Sequence, residues 1–291
     1  MGLPLVVGVD GSESSLTAVD WAVDEAARHG LPLRLVYASW WERYEGPVPT
    51  GGAERPAEQT TAEHIVGYAA ERARRRNPEV EVSTEIIPED TVSALLREGN
   101  NASVLVTGRR GRGELSGLLL GSTSLAVAAR AHGPVVVVRG DNDGPAGTHG
   151  RILLGAGEPG TGEEAARFAF REAETRGCVL DVVRAWRSPA QGTPGGTAPE
   201  AEPAGGYEER AAALLDELLR EAAPEHPGVQ VRGVTVEGPA HRVLVDRSAA
   251  ADLVVVGARR RVGYFGLQLG RTDHALLHHA QCPVAIVPAR V

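Results

Sequence analysis

The sequence predicts an α/β fold: two tandem open parallel sheets of five strands, each with helices on both faces. Three observations lead there. Short β-branched runs alternate with helical patterns, and parallel neighbours need a helix-length crossover. Runs such as VLVT (104–107) and VVVV (135–138) are apolar throughout, which suits strands buried on both sides. The first half of the chain also recurs in the second.

In the first half the strand patterns lie at 4–9, 32–38, 80–87, 103–107 and 134–138, and the helical patterns at 14–29, 57–76, 90–99 and 122–132. Over 14–29, Ala18, Ala22 and Ala26 recur four apart with Val19 and Val23 beside them, a narrow small-residue face that lets a helix lie close on a sheet. Gly30 stops this helix, and Gly177 stops its counterpart.

The repeat aligns LVVGVDGSESSLTAVDWAVDEAARHGLPLRLVYASW (5–40) with ILLGAGEPGTGEEAARFAFREAETRGCVLDVVRAW (152–186), pairing Gly8 with Gly155 and Ala38 with Ala185. The ends of the halves match as well: Gly108 falls on Gly257 and Pro134 on Pro283. Residues 1–140 form a first domain, 141–150 a Gly/Asp-rich linker and 151–291 a second domain. At about 140 residues each, both are long enough to bury a core. The Pro/Gly/Ala-rich stretch 188–206 has no apolar face and is expected to be mobile.

Composition removes several functions. A formal charge of −8 disfavours nucleic acid or an acidic membrane as the main partner. All 30 basic residues are arginine. Without lysine there is no Walker-type phosphate loop, no pyridoxal Schiff base and no kinase phosphate lysine. Cys178 and Cys282 lack metal-ligand or disulfide spacing and read as small buried residues at strand starts. No run approaches the ~20 apolar residues of a membrane span, and a cytoplasmic protein is expected.

The chemistry-bearing pattern is Gly108-Arg-Arg-Gly111, nine residues, then Gly121-Ser122, between the fourth strand and the fourth helix. Glycines bring backbone N–H groups against phosphate oxygens, and a helix start offers further N–H donors. A dinucleotide fingerprint read from GRGELS (111–116) fails, because it follows the fourth strand and ends on Ser116. Arg72, Arg74, Arg75 and Arg76 read as a solvated helix end. Neither G-x-S-x-G nor a nucleophile–base pair is present, so catalysis is not supported.

The G-x2-G-x9-G-[ST] loop and the opening GVDGS (8–12) resemble the universal stress protein family, and the resemblance covers almost the whole chain. It implies a Rossmann-like fold of the adenine nucleotide alpha hydrolase kind. It also implies that Gly8, Val9 and Asp10 line an adenosine pocket and that Ala38 offers backbone groups to adenine. Thr107, Gly108, Gly111, Gly121, Ser122 and Thr123 would hold ribose and phosphates. The implied cofactor is ATP, accompanied by magnesium that neutralises phosphate charge.

In the second half Gly157 stands for Asp10, Arg260 for Gly111 and Arg271 for Ser122, so ATP is expected in the first domain only. The resulting expectation is an ATP-binding regulator or sensor in stress adaptation. A slow ATP hydrolase or nucleotidyl-transferring enzyme is the alternative. The apolar strands PVVVV (134–138) and PVAIV (283–287) are expected to pair in an intramolecular domain–domain pseudo-dimer, with a homodimer left open.

Overall fold

The computed structural model describes residues 2–40, 57–109, 120–139, 148–188, 204–259 and 269–289. The chain divides into two compact units, the first reaching Arg139.

In the first unit the order is β1 (Leu5–Gly8), α1 (Glu13–His29), β2 (Leu33–Ala38), α2 (Ala57–Arg76), β3 (Val82–Ile87), α3 (Thr91–Gly99), β4 (Val104–Gly108), α4 (Ser122–Arg130) and β5 (Val135–Val138). The strands pair in parallel as β3-β2-β1-β4-β5, with Val6 beside both Arg34 and Leu105. Each observed element begins and ends within two residues of its sequence pattern.

α1 is fixed at both ends. The Ser12 side chain accepts from Ser15 N–H at the start, and Gly30 closes the helix at φ 60°, where a side chain would be strained. Its buried face is Leu16, Ala18, Val19, Trp21, Ala22, Val23 and Ala26. Each large apolar side chain among them contributes roughly 1.5–3 kcal/mol. α1 and α2 pack together on one side of the sheet, α3 and α4 on the other.

The end of α2 is solvated as expected at Arg74, Arg75 and Arg76, but two of its arginines also pair with another helix. Arg72 donates through Nε and Nη2 to both carboxylate oxygens of Asp20 (2.8 and 2.6 Å), and Arg76 makes the same fork to Asp24 (2.6 and 2.7 Å). Asp20 and Asp24 lie one turn apart on α1, as Arg72 and Arg76 do on α2, so two parallel forks tie the helices together.

The second unit repeats the plan: β6 (Arg151–Gly155), α5 (Glu163–Arg176), β7 (Val179–Trp186), α6 (Ala204–Ala222), β8 (Val231–Glu237), α7 (Ala240–Arg247), β9 (Leu253–Ala258), α8 (Arg271–His279) and β10 (Val284–Pro288). Its parallel order is β8-β7-β6-β9-β10. Gly177 ends α5 at φ 61°. Of the stretch expected to be mobile, 189–203 lies outside the described residues, and Ala204 opens α6.

Candidate functional site

A parallel sheet of this order sends its connections apart between β1 and β4. β1 leads through α1 to β2 on one side, whereas β4 leads through α4 to β5 on the other. Ligands of open α/β sheets bind in the crevice this leaves at the carboxyl ends of the strands. In the first unit that end gathers nine of the ten sequence-predicted residues. Gly8, Val9 and Asp10 leave β1, Ala38 ends β2, Thr107 and Gly108 end β4, and Gly121, Ser122 and Thr123 open α4. Gly111 lies outside the described residues.

Hydrogen bonds bring α4 to this end. Gly121 N–H donates to the Arg109 carbonyl (2.9 Å), and the buried Ser124 hydroxyl donates to the Gly108 carbonyl (2.7 Å). Gly121 is the N-cap residue in extended conformation and caps with no side chain, so among the described residues the first-turn N–H groups of α4 have no side-chain acceptor. Thr107 is 4% exposed, and its Oγ1 has no hydrogen-bond partner among the described residues.

Asp10 carries a local duty too. Its Oδ1 accepts from Ser12 N–H (3.0 Å) and from the Ser12 hydroxyl (2.6 Å), which holds Ser12 in place as the cap of α1. Oδ2 accepts nothing among the described residues. The Ala38 carbonyl takes the Thr91 hydroxyl (2.8 Å), leaving one lone pair on that oxygen.

The two glycines at the strand ends have a reason the sequence did not show. A Cβ on Gly108 would run into the Ser14 carbonyl, where α1 begins, and a Cβ on Gly257 would run into the carbonyl of Thr161, the counterpart of Ser14. A Cβ on Gly8 would lie 3.0 Å from the Leu95 side chain of α3, and one on Gly155 would lie 2.7 Å from the Leu244 side chain of α7. Glycines shared by both halves therefore let helices approach strand ends.

Differences between the halves change the second unit's end. Arg184 of β7, aligned with Tyr37, is 9% exposed and donates through Nη1 to the carbonyls of Ala156 (3.1 Å) and Gly157 (2.6 Å). Its Nη2 reaches Glu158 (2.5 Å). A guanidinium thus lies on the backbone that replaces Val9 and Asp10. Asp273 of α8, aligned with Ser124, accepts from Gly270 N–H (2.8 Å), the group whose counterpart in the first unit, Gly121 N–H, donates to the Arg109 carbonyl. Burial pushes the Asp273 carboxyl up to about 6, against a smaller downward pull from that N–H. Arg271 replaces Ser122 at the first position of α8. Sequence alignment had marked Gly157 and Arg271; Arg184 and Asp273 were missed, although charged residues opposite Tyr37 and Ser124 were visible in the same alignment.

Of the two cysteines, Cys282 is buried as expected, whereas Cys178 is half-buried, and burial raises its thiol.

The model of the Universal stress protein family matches twice, at residues 3–139 and 148–288. The chain belongs to the universal stress protein family. A universal stress protein of Mycolicibacterium smegmatis is 33% identical over 297 residues, covering 98% of this chain and 97% of its own. One from Mycobacterium tuberculosis is 32% identical over 295 residues, covering 98% and 96%. The crystal structure of a universal stress protein from Archaeoglobus fulgidus aligns with a TM-score of 0.70 at 15% identity, over 99% of this chain and 98% of that one. At that identity the structural match speaks to fold, and it bears out the α/β architecture. No helix among the described residues is long and apolar enough to cross a membrane.

Proposed function

We propose that the first unit binds an adenine nucleotide, ATP, and that the chain acts as a nucleotide-dependent regulator or sensor in stress adaptation rather than as a catalyst. The stress role rests on family membership. The binding role rests on the contrast between two ends of the same fold. In the first unit α4 has no side-chain cap, the buried Thr107 hydroxyl has no partner and Asp10 Oδ2 accepts nothing, all among the described residues. In the second, Arg184 occupies the backbone that replaces Val9 and Asp10, whereas α8, like α4, opens on a glycine with no side-chain cap among the described residues, so the contrast lies at the nucleoside end.

In this reading Asp10 Oδ2 takes ribose or base donors, and the start of α4 with Ser122 and Thr123 takes phosphate oxygens. Magnesium rides on the phosphates, because the carboxylates of Asp10 and Asp90 at this end already accept from Ser12 and Ser93. The test is ATP retention against ATP turnover in purified full-length protein. Retention of ATP through gel filtration with no phosphate release supports a binding protein. Sustained release of phosphate, lost in Asp10→Asn, would replace it with a slow hydrolase.

A further inference from the structure

The carboxyl end of the second unit gathers cations as well as closing over the nucleoside position. Arg187 follows directly on β7, His241 and Arg242 lie in the first turn of α7, and Arg271 is the first residue of α8. Gly238 N–H donates to the Trp186 carbonyl (2.8 Å), which joins the exit of β8 to the exit of β7, and α7 packs on α8. Three strand exits therefore deliver these four side chains to one surface. Arg187, Arg242 and Arg271 are exposed and His241 is half-exposed. None of the four forms an ion pair among the described residues, in a chain whose acids outnumber its bases by 38 to 30.

Their closeness is felt on His241. Its pKa is lowered by desolvation and then by Arg271, Arg242 and Arg187. The aligned positions of the first unit are Trp40, Val92, Ser93 and Ser122, all uncharged. At these strand exits Asp273 is buried and turned to Gly270 N–H, and the exposed carboxylate Glu237, which ends β8 beside Trp186, is outnumbered by the three exposed arginines.

We propose that this surface of the second unit is a binding site for a linear oligophosphate, recognised by charge and without a nucleoside. Guanidinium groups suit phosphate oxygens by their planar fork of donors, and a cluster of like charges gains most from a ligand that carries several negative charges. Arg184 already donates to the Ala156 and Gly157 carbonyls, the backbone that replaces Val9 and Asp10, which separates this ligand from the one proposed for the first unit. Oligophosphate binding by the second unit does not depend on ATP binding by the first.

The probe is inorganic tripolyphosphate, titrated calorimetrically into the full chain at about 0.05 and 0.3 M salt. Three variants are compared: Arg187→Gln/Arg242→Gln/Arg271→Ser, the single Arg242→Ala, and Ser122→Asp, which sets a carboxylate at the phosphate end of the first unit. Wild type is expected to bind tripolyphosphate with affinity falling at the higher salt. Arg242→Ala should weaken it several-fold and the triple variant at least tenfold, with ATP binding unchanged, while Ser122→Asp keeps tripolyphosphate and loses ATP. Absence of binding in wild type, full binding in the triple variant, or loss through Ser122→Asp alone would overturn the proposal. Loss of ATP binding everywhere, with tripolyphosphate retained, would count only against the first unit's reading. Adenosine is the control ligand, and its competition with tripolyphosphate would also contradict a charge-only site.

Discussion

Asp10→Asn separates the two duties of Asp10. The carboxylate holds Ser12 through two hydrogen bonds, and Ser12 in turn caps α1. Asp10→Ala removes both bonds and loosens the cap, which costs about 1–2 kcal/mol of first-unit stability. Asp10→Asn keeps a carbonyl oxygen for Ser12 and should cost less than about 1 kcal/mol. It turns an amide N–H₂ toward the crevice, so a nucleoside donor that met Oδ2 now meets another donor. An unpaired polar group of that kind costs about 1–3 kcal/mol, or roughly 5- to 150-fold in Kd. Thermal melts and ATP titrations on both variants give the answer. Wild-type ATP affinity in Asp10→Asn would mean that Asp10 is a turn residue alone, and the nucleotide assignment would lose its acid.

Three further outcomes are expected. Thr107→Val removes a buried hydroxyl without a described partner, so the ligand-free protein should be as stable or more stable by up to about 1 kcal/mol while ATP binding weakens; a less stable protein with unchanged binding would contradict this. Asp273 has a folded pKa raised to about 6, so the native state holds its proton where the unfolded chain has released it, and this group's contribution to stability falls as pH rises from about 4 to 6 and stays low above. Asp273→Asn keeps an acceptor for Gly270 N–H and should therefore raise stability at pH 8 by about 1–3 kcal/mol relative to its effect at pH 4, read by paired denaturant melts. Gly108→Ala and Gly257→Ala should each destabilise their own unit by about 1–3 kcal/mol or more, because the added methyl meets helix-start backbone; a Gly257→Ala protein as stable as wild type would refute that packing account.

The strands and helices of the first half were legible because each apolar run and each helix stop is a local signal. VVVV could be read as a buried strand, and Ala18, Ala22 and Ala26 as a sheet-facing stripe, from spacing alone; all are buried. The site was legible as a set of chain positions, since the carboxyl ends of parallel strands converge once the order is known. Its internal bonds were not. A glycine looks the same in sequence whether it makes way for phosphate or for Ser14, and only the packing of α1 distinguishes them at Gly108. Arg72 and Arg76 looked like a solvated helix end because Asp20 and Asp24 lie on another helix, 52 residues away in the chain. Arg184 likewise acts on backbone 27 and 28 residues earlier, a pairing that periodicity cannot reveal.

The central claim is that one nucleotide binds per chain, in the first unit, where no arginine among the described residues lies on the backbone of Val9 and Asp10. Calorimetric titration of full-length protein with ATP and magnesium, repeated on Asp10→Asn and on Arg184→Gln, tests it most directly. The account predicts a stoichiometry of one, a large loss of affinity in Asp10→Asn and no change in Arg184→Gln. Two equivalent sites in wild type, or binding that survives Asp10→Asn and disappears in Arg184→Gln, would contradict it.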